Sequence, residues 1–128
     1  MAERPISPHL TVYRWAYTMT LSILHRMTGV ALAFALLGLV AWLVAASVGQ
    51  SAYESLLPLL MSAPGKIVAA LAVTALIYHC ANGVRHLAWD AGYGFKPKTA
   101  TNTAWLVIAF AILATLAFWG ALALSGAL

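Results

Sequence analysis

Three long apolar runs divide the chain, roughly Ser22 to Val48, Lys66 to Asp90 and Thr103 to Leu124. Each meets the length of about 20 residues that a helix needs to cross about 30 Å of hydrocarbon. The runs lack the narrow apolar stripe of a helix on a soluble core, and lipid leaves backbone groups no partner outside their own segment. The pattern therefore predicts an all-α membrane protein with three transmembrane helices, forming a single transmembrane anchor domain over residues 1–128 that includes a cytoplasmic N-terminal segment of residues 1–21. Between the first two runs, Gln50–Gly65 carries Pro58 and Pro64 among Leu56, Leu57, Leu59 and Leu60. That mixture predicts an interfacial segment rather than a free loop. Gly92, Gly94 and Pro97 mark the second connection.

Composition agrees with lipid as the solvent. Hydrophobic residues make up 63% of the 128 and charged residues 8%, against about 45–50% and about 25% in soluble domains. Seven Lys and Arg oppose three Asp and Glu, but the cations are scattered and form no basic face, which argues against nucleic-acid binding. They read instead as topology signals. Arg4, Arg14 and Arg26 precede or begin the first span, and Arg85, Lys96 and Lys98 surround the second connection. Three crossings put both groups on one side, and the other side holds only Lys66 and Glu54. The positive-inside rule then predicts a cytoplasmic N-terminus and a C-terminus on the opposite side. No apolar stretch lies at the very start, and Met1–Met19 lacks the Arg- and Ser-rich character of a presequence, so a bacterial inner membrane is expected rather than a mitochondrial one. Cys80 is the single cysteine and is expected to pack as a small hydrophobe. The third span holds no ionisable residue and is expected to be scaffolding, with Trp105 and Trp119 nearer the two interfaces.

Ionisable residues inside spans are costly, and this chain concentrates them in two places. In SILHRMTG, helical spacing puts Ser22, His25, Arg26 and Gly29 on one stripe at the entrance of the first span. Two readings fit it. Arg26 is an interfacial anchor reaching lipid phosphate, or the stripe offers hydroxyl, imidazole and guanidinium to an oxygen-bearing ligand such as a quinone carbonyl. In YHCANGVRHLAWD, Gly83, His86 and Asp90 fall within about 40° of His79 around the helix, and His79 lies about 16 Å along the axis from Asp90. His79 is either an imidazole bonded across helices or an axial ligand, and Gly83 one turn away would clear flat space beside it, as a haem macrocycle needs. Antiparallel packing of the first two spans would bring His25 and Arg26 towards Arg85, His86 and Asp90.

Three segments, RPISPHLTVYRW at Arg4–Trp15, SILHRMTG at Ser22–Gly29 and HCANGVRHLAWD at His79–Asp90, resemble the cytochrome b subunits of succinate dehydrogenase, the larger of two small membrane anchors in respiratory complex II. The resemblance implies a haem b- and quinone-binding anchor. It would pass electrons from the iron–sulfur subunit to ubiquinone, in the tricarboxylic acid cycle and respiratory chain, while a flavoprotein subunit oxidises succinate. No succinate chemistry would fall to this chain. Ser22 and Arg26 match positions that line the quinone pocket. His79 matches the axial haem ligand, and the second small anchor subunit would supply the other axial histidine. His25, Arg26 and His86 are implied near the haem propionates. Arg85 and Asp90 belong to the matched segment with a role left open between cofactor contact and structural ion pair. The N-terminal piece suits an extended segment lying against the soluble subunits.

Two rivals remain at this level: the anchor of a quinol:fumarate reductase, which shares the architecture, and a non-catalytic scaffold or transporter component without haem. A single-chain, two-haem anchor would need four intramembrane ligands, whereas only His79 is expected deep in the membrane.

Overall fold

A computed structural model describes residues 15–126. Most of the Arg4–Trp15 segment, with Arg4 and Arg14, lies outside them. Four helices follow one another: α1 (Tyr17–Val48), α2 (Gln50–Met61), α3 (Ala63–Asp90) and α4 (Pro97–Leu124). Among the described residues, α1, α3 and α4 are long and apolar enough to cross a membrane. At 12 residues, α2 is about 18 Å long and falls short of a bilayer. Gln50–Gly65 is thus an ordered helix for most of its length.

All three long helices begin before the apolar runs do. α1 starts at Tyr17, α3 at Ala63 and α4 at Pro97, because a first turn outside the hydrocarbon can be polar and helical at once. Two of the starts carry recognisable signals. Ser62 caps α3 by accepting from the Gly65 amide at 3.1 Å, with Pro64 in the first turn. Pro97 opens α4, where its missing N–H costs nothing and its fixed φ suits the helix. The single residue between α1 and α2 is Gly49 at φ 138°, a conformation that side chains disfavour. It turns the chain so that α2 packs back on α1, with Trp42 and Tyr53 rings 6.4 Å apart.

Helix α3 sits between α1 and α4 and packs on both, while α1 and α4 touch much less. Little is buried: Leu21, Ala45, Ala104 and Val107 among apolar residues, and Asn82 and Arg85 among polar ones. Large side chains such as Phe34 and Leu106 face outwards, 69% and 70% exposed. That inside-out distribution suits lipid and partner helices as surroundings, because packing rather than water exclusion joins helices in a bilayer. Cys80, expected to pack as a small hydrophobe, is exposed on α3, one residue round the helix from the His79 face. Specific bonds hold the helices together. Tyr78 donates its hydroxyl to the Leu21 carbonyl at 2.7 Å, and Trp119 Nε1 reaches Thr74 Oγ1 at 3.4 Å.

Candidate functional site

The seam of α1 and α3 gathers three histidines. The His25 and His79 rings are stacked, with centroids 3.9 Å apart and planes within 11°. The His86 ring centroid lies 4.9 Å from that of His25, and the His86 and Trp89 rings stand nearly perpendicular with centroids 5.1 Å apart. His25 was expected at the entrance of its span and His79 near the middle, yet they stand level. Helix α1 begins at Tyr17, which carries His25 about 12 Å into the helix.

Glycines make the close approach possible, though not in the expected pairing. A Cβ on Gly29 would stand 3.0 Å from His79 Cε1, whereas a Cβ on Gly83 would meet His25 Cε1 at 3.8 Å, an ordinary contact. The space beside His79 on the α1 side is therefore cleared by Gly29, and Gly83 faces His25. Thr28, which carried no signal in the sequence, places its hydroxyl 3.1 Å from His79 Nδ1. The same hydroxyl lies 2.8 Å from the Leu24 carbonyl and 3.0 Å from that of His25.

The SILHRMTG stripe divides. His25 and Gly29 turn towards α3, Ser22 is half-buried, and Arg26 is exposed on the flank of α1 one turn from Ser22. Arg26 and Ser22 still share a helix face, but neither joins the histidine cluster.

Arg85 also departs from the expected meeting with His25 and Arg26. It is 7% exposed and turned towards α4, where Nε donates to Thr103 Oγ1 at 3.1 Å and Nη2 to the Ala100 carbonyl at 3.0 Å. Its guanidinium also covers the Trp89 ring at 3.9 Å. None of these partners is a carboxylate. Asp90, the last residue of α3, is exposed. Asn82, one turn from Arg85, is completely buried, and neither amide atom finds a hydrogen-bond partner among the described residues. His25 Nδ1 is likewise buried and unpartnered there.

Chemically, the stacked imidazoles present ring faces to one another rather than lone pairs to a common point. Among the described residues no group of three donors is arranged to hold a bare ion. What the seam provides is a single imidazole with its Nδ1 engaged. Its Nε2 makes no hydrogen bond among the described residues.

These features define a helical membrane protein whose polar chemistry is collected at the seam of two spans. The chain belongs to the succinate dehydrogenase/fumarate reductase transmembrane subunit family, whose model matches residues 1–118. It is 45% identical over 118 residues to the succinate dehydrogenase cytochrome b556 subunit of Rickettsia prowazekii, covering 91% of each chain. The mitochondrial succinate dehydrogenase cytochrome b560 subunits of Sus scrofa and Homo sapiens are 39% and 37% identical, the matches covering 89% and 90% of this chain and 69% of each relative.

Proposed function

We propose that this chain is the haem b- and quinone-binding membrane anchor of a succinate:quinone oxidoreductase, with His79 as an axial ligand of haem iron. The observation that carries the haem assignment is the state of His79: an imidazole deep in a span, Nδ1 occupied by a hydroxyl and Nε2 without a hydrogen-bond partner among the described residues. A b-type haem fits the residues present. Gly29 and Gly83 narrow the backbone around the histidines, and the orphaned His25 Nδ1 is a polar group left for a ligand. When bound, haem supplies a one-electron carrier whose potential depends on its axial ligands and their hydrogen bonds. The second axial histidine would come from the other small anchor subunit, as the family resemblance implies.

Ser22 and Arg26 serve the quinone. Arg26 is exposed beside the half-buried Ser22, so a headgroup arriving from lipid or from the boundary with the iron–sulfur subunit meets a hydroxyl and a guanidinium together. Both donate hydrogen bonds to a quinone oxygen, and the fixed positive charge favours its reduced, anionic form. His25 lies against His79, and His86 lies beside His25; both are assigned to the haem propionate region. Arg85 acts within the helix packing, holding α3 to α4. Direction towards succinate oxidation rather than fumarate reduction is supported by the relatives, which are succinate dehydrogenase subunits. Lys96 and Lys98 at the start of α4 fall on the same side as the beginning of α1, in keeping with a cytoplasmic N-terminus in a bacterial inner membrane. The iron–sulfur and flavoprotein subunits complete the complex, and succinate chemistry takes place in them.

The test is a dithionite-reduced minus oxidised spectrum of the complex purified with its native partners. The wild type should give a b-type haem signal, and His79→Ala should lose it while the subunits remain associated. Haem retained in an assembled His79→Ala complex would refute axial ligation by this residue.

A further inference from the structure

The Thr28 hydroxyl has one proton and three neighbours within hydrogen-bond distance: the Leu24 carbonyl at 2.8 Å, the His25 carbonyl at 3.0 Å and His79 Nδ1 at 3.1 Å. Carbonyl oxygens only accept. The Leu24 carbonyl, four residues back on the helix, is the nearest of the three and the usual acceptor for a helical threonine, so the hydroxyl proton is assigned to the backbone of α1. The contact with His79 can then be a hydrogen bond only if Nδ1 carries the proton and Thr28 Oγ1 accepts it. In a neutral imidazole this leaves the lone pair on Nε2. Gly29, the next residue, is what lets the ring come this close, since any Cβ there would press on Cε1.

We infer that Thr28 is a positioning residue for His79. By accepting from Nδ1 it selects the tautomer whose Nε2 is free to ligate, and it fixes the ring's rotation. The inference rests on the proposed role of His79 as an axial ligand. An imidazole that donates from Nδ1 is a more basic ligand, and second-sphere partners of this kind are commonly worth 10–100-fold in affinity. A more basic axial ligand favours the oxidised iron. Loss of the hydroxyl should therefore weaken haem retention and raise the haem midpoint potential.

The experiment compares the complex purified with its partners as wild type, Thr28→Val, Thr28→Ala, Thr28→Ser and His79→Ala. It measures haem per flavin, the haem midpoint potential and the electron paramagnetic resonance spectrum of the oxidised haem. Thr28→Val keeps the side-chain shape without the hydroxyl. It should bind haem about tenfold or more weakly, with a raised potential and altered g values, and Thr28→Ser should restore all three towards wild type. An assembled Thr28→Val complex with wild-type haem content, potential and spectrum would overturn the inference. So would loss of assembly in both Thr28→Val and Thr28→Ala under conditions where His79→Ala assembles, because Thr28 would then support the helix pair rather than the ligand. A wild-type complex without haem, or haem kept by His79→Ala, would instead remove the axial-ligand reading and this inference with it.

Discussion

Gly29→Ala adds one carbon at the place where α1 and the His79 ring come closest, and the structure sets the size of the disturbance. The new Cβ would stand 3.0 Å from His79 Cε1, 3.8 Å from Nδ1 and 3.9 Å from Nε2. Carbon atoms settle about 3.5–4.0 Å apart, so the ring must retreat by about 0.5 Å or more. Moving the ring straight away from α1 would stretch the 3.1 Å Thr28–His79 contact to about 3.6 Å, beyond the reach of a hydrogen bond. Overpacking of this kind costs about 1–3 kcal/mol, and the lost bond about 0.5–1.5 kcal/mol. Alanine's better helix propensity returns about 0.5–1 kcal/mol. The balance is a net destabilisation of about 0.5–4 kcal/mol at the seam, with His79 displaced from its position. Gly38, on the same helix, has nothing among the described residues within 4 Å of an added Cβ, and Gly38→Ala is the matched control that receives only the propensity gain. The assay is haem per flavin together with the thermal unfolding midpoint of the purified complex. Gly29→Ala should lower both relative to Gly38→Ala. Identical behaviour of the two variants would refute the packing argument, since it would mean that the ring has room to spare.

Two further substitutions separate the surface arginine from the buried one. Arg26→Ala should slow quinone reduction by roughly tenfold, the kinetic equivalent of one charge-assisted hydrogen bond, while succinate oxidation by a water-soluble artificial acceptor stays intact; equal loss of both activities would count against a quinone role. Arg85→Ala removes the bonds to Thr103 and the Ala100 carbonyl and the contact with Trp89, and should destabilise the α3–α4 packing by about 3 kcal/mol. It should show as a lower unfolding midpoint with an unchanged haem spectrum in the folded complex. Haem loss without destabilisation would place Arg85 at the cofactor instead.

Span count was legible in the amino-acid order because lipid imposes a crude requirement, about twenty apolar residues per crossing, and three runs satisfied it. The spacings His25–Gly29 and His79–His86 were legible as shared faces, since helical periodicity follows from the backbone alone, but the wider stripe with Ser22 and Arg26 divided between two faces. Helix starts were not: Tyr17 and Pro97 lie outside the apolar runs, and hydropathy does not register a polar first turn. Periodicity states which residues share a face but says nothing about the rotation and axial offset of the helix opposite. Only the tertiary structure decided that Gly29 rather than Gly83 faces His79, that His25 stands level with it, and that Thr28 reaches Nδ1. Arg85 makes the same point from the other side of α3. Its position in a motif beside His86 suggested the histidine seam, yet a step of one residue is 100° of rotation, which turned its guanidinium to Thr103 on α4. The apolar runs determine that there are three spans, because each must satisfy its own backbone in lipid. Which side chains meet is decided by the packing of one helix against the next, a relation between segments that no single segment contains.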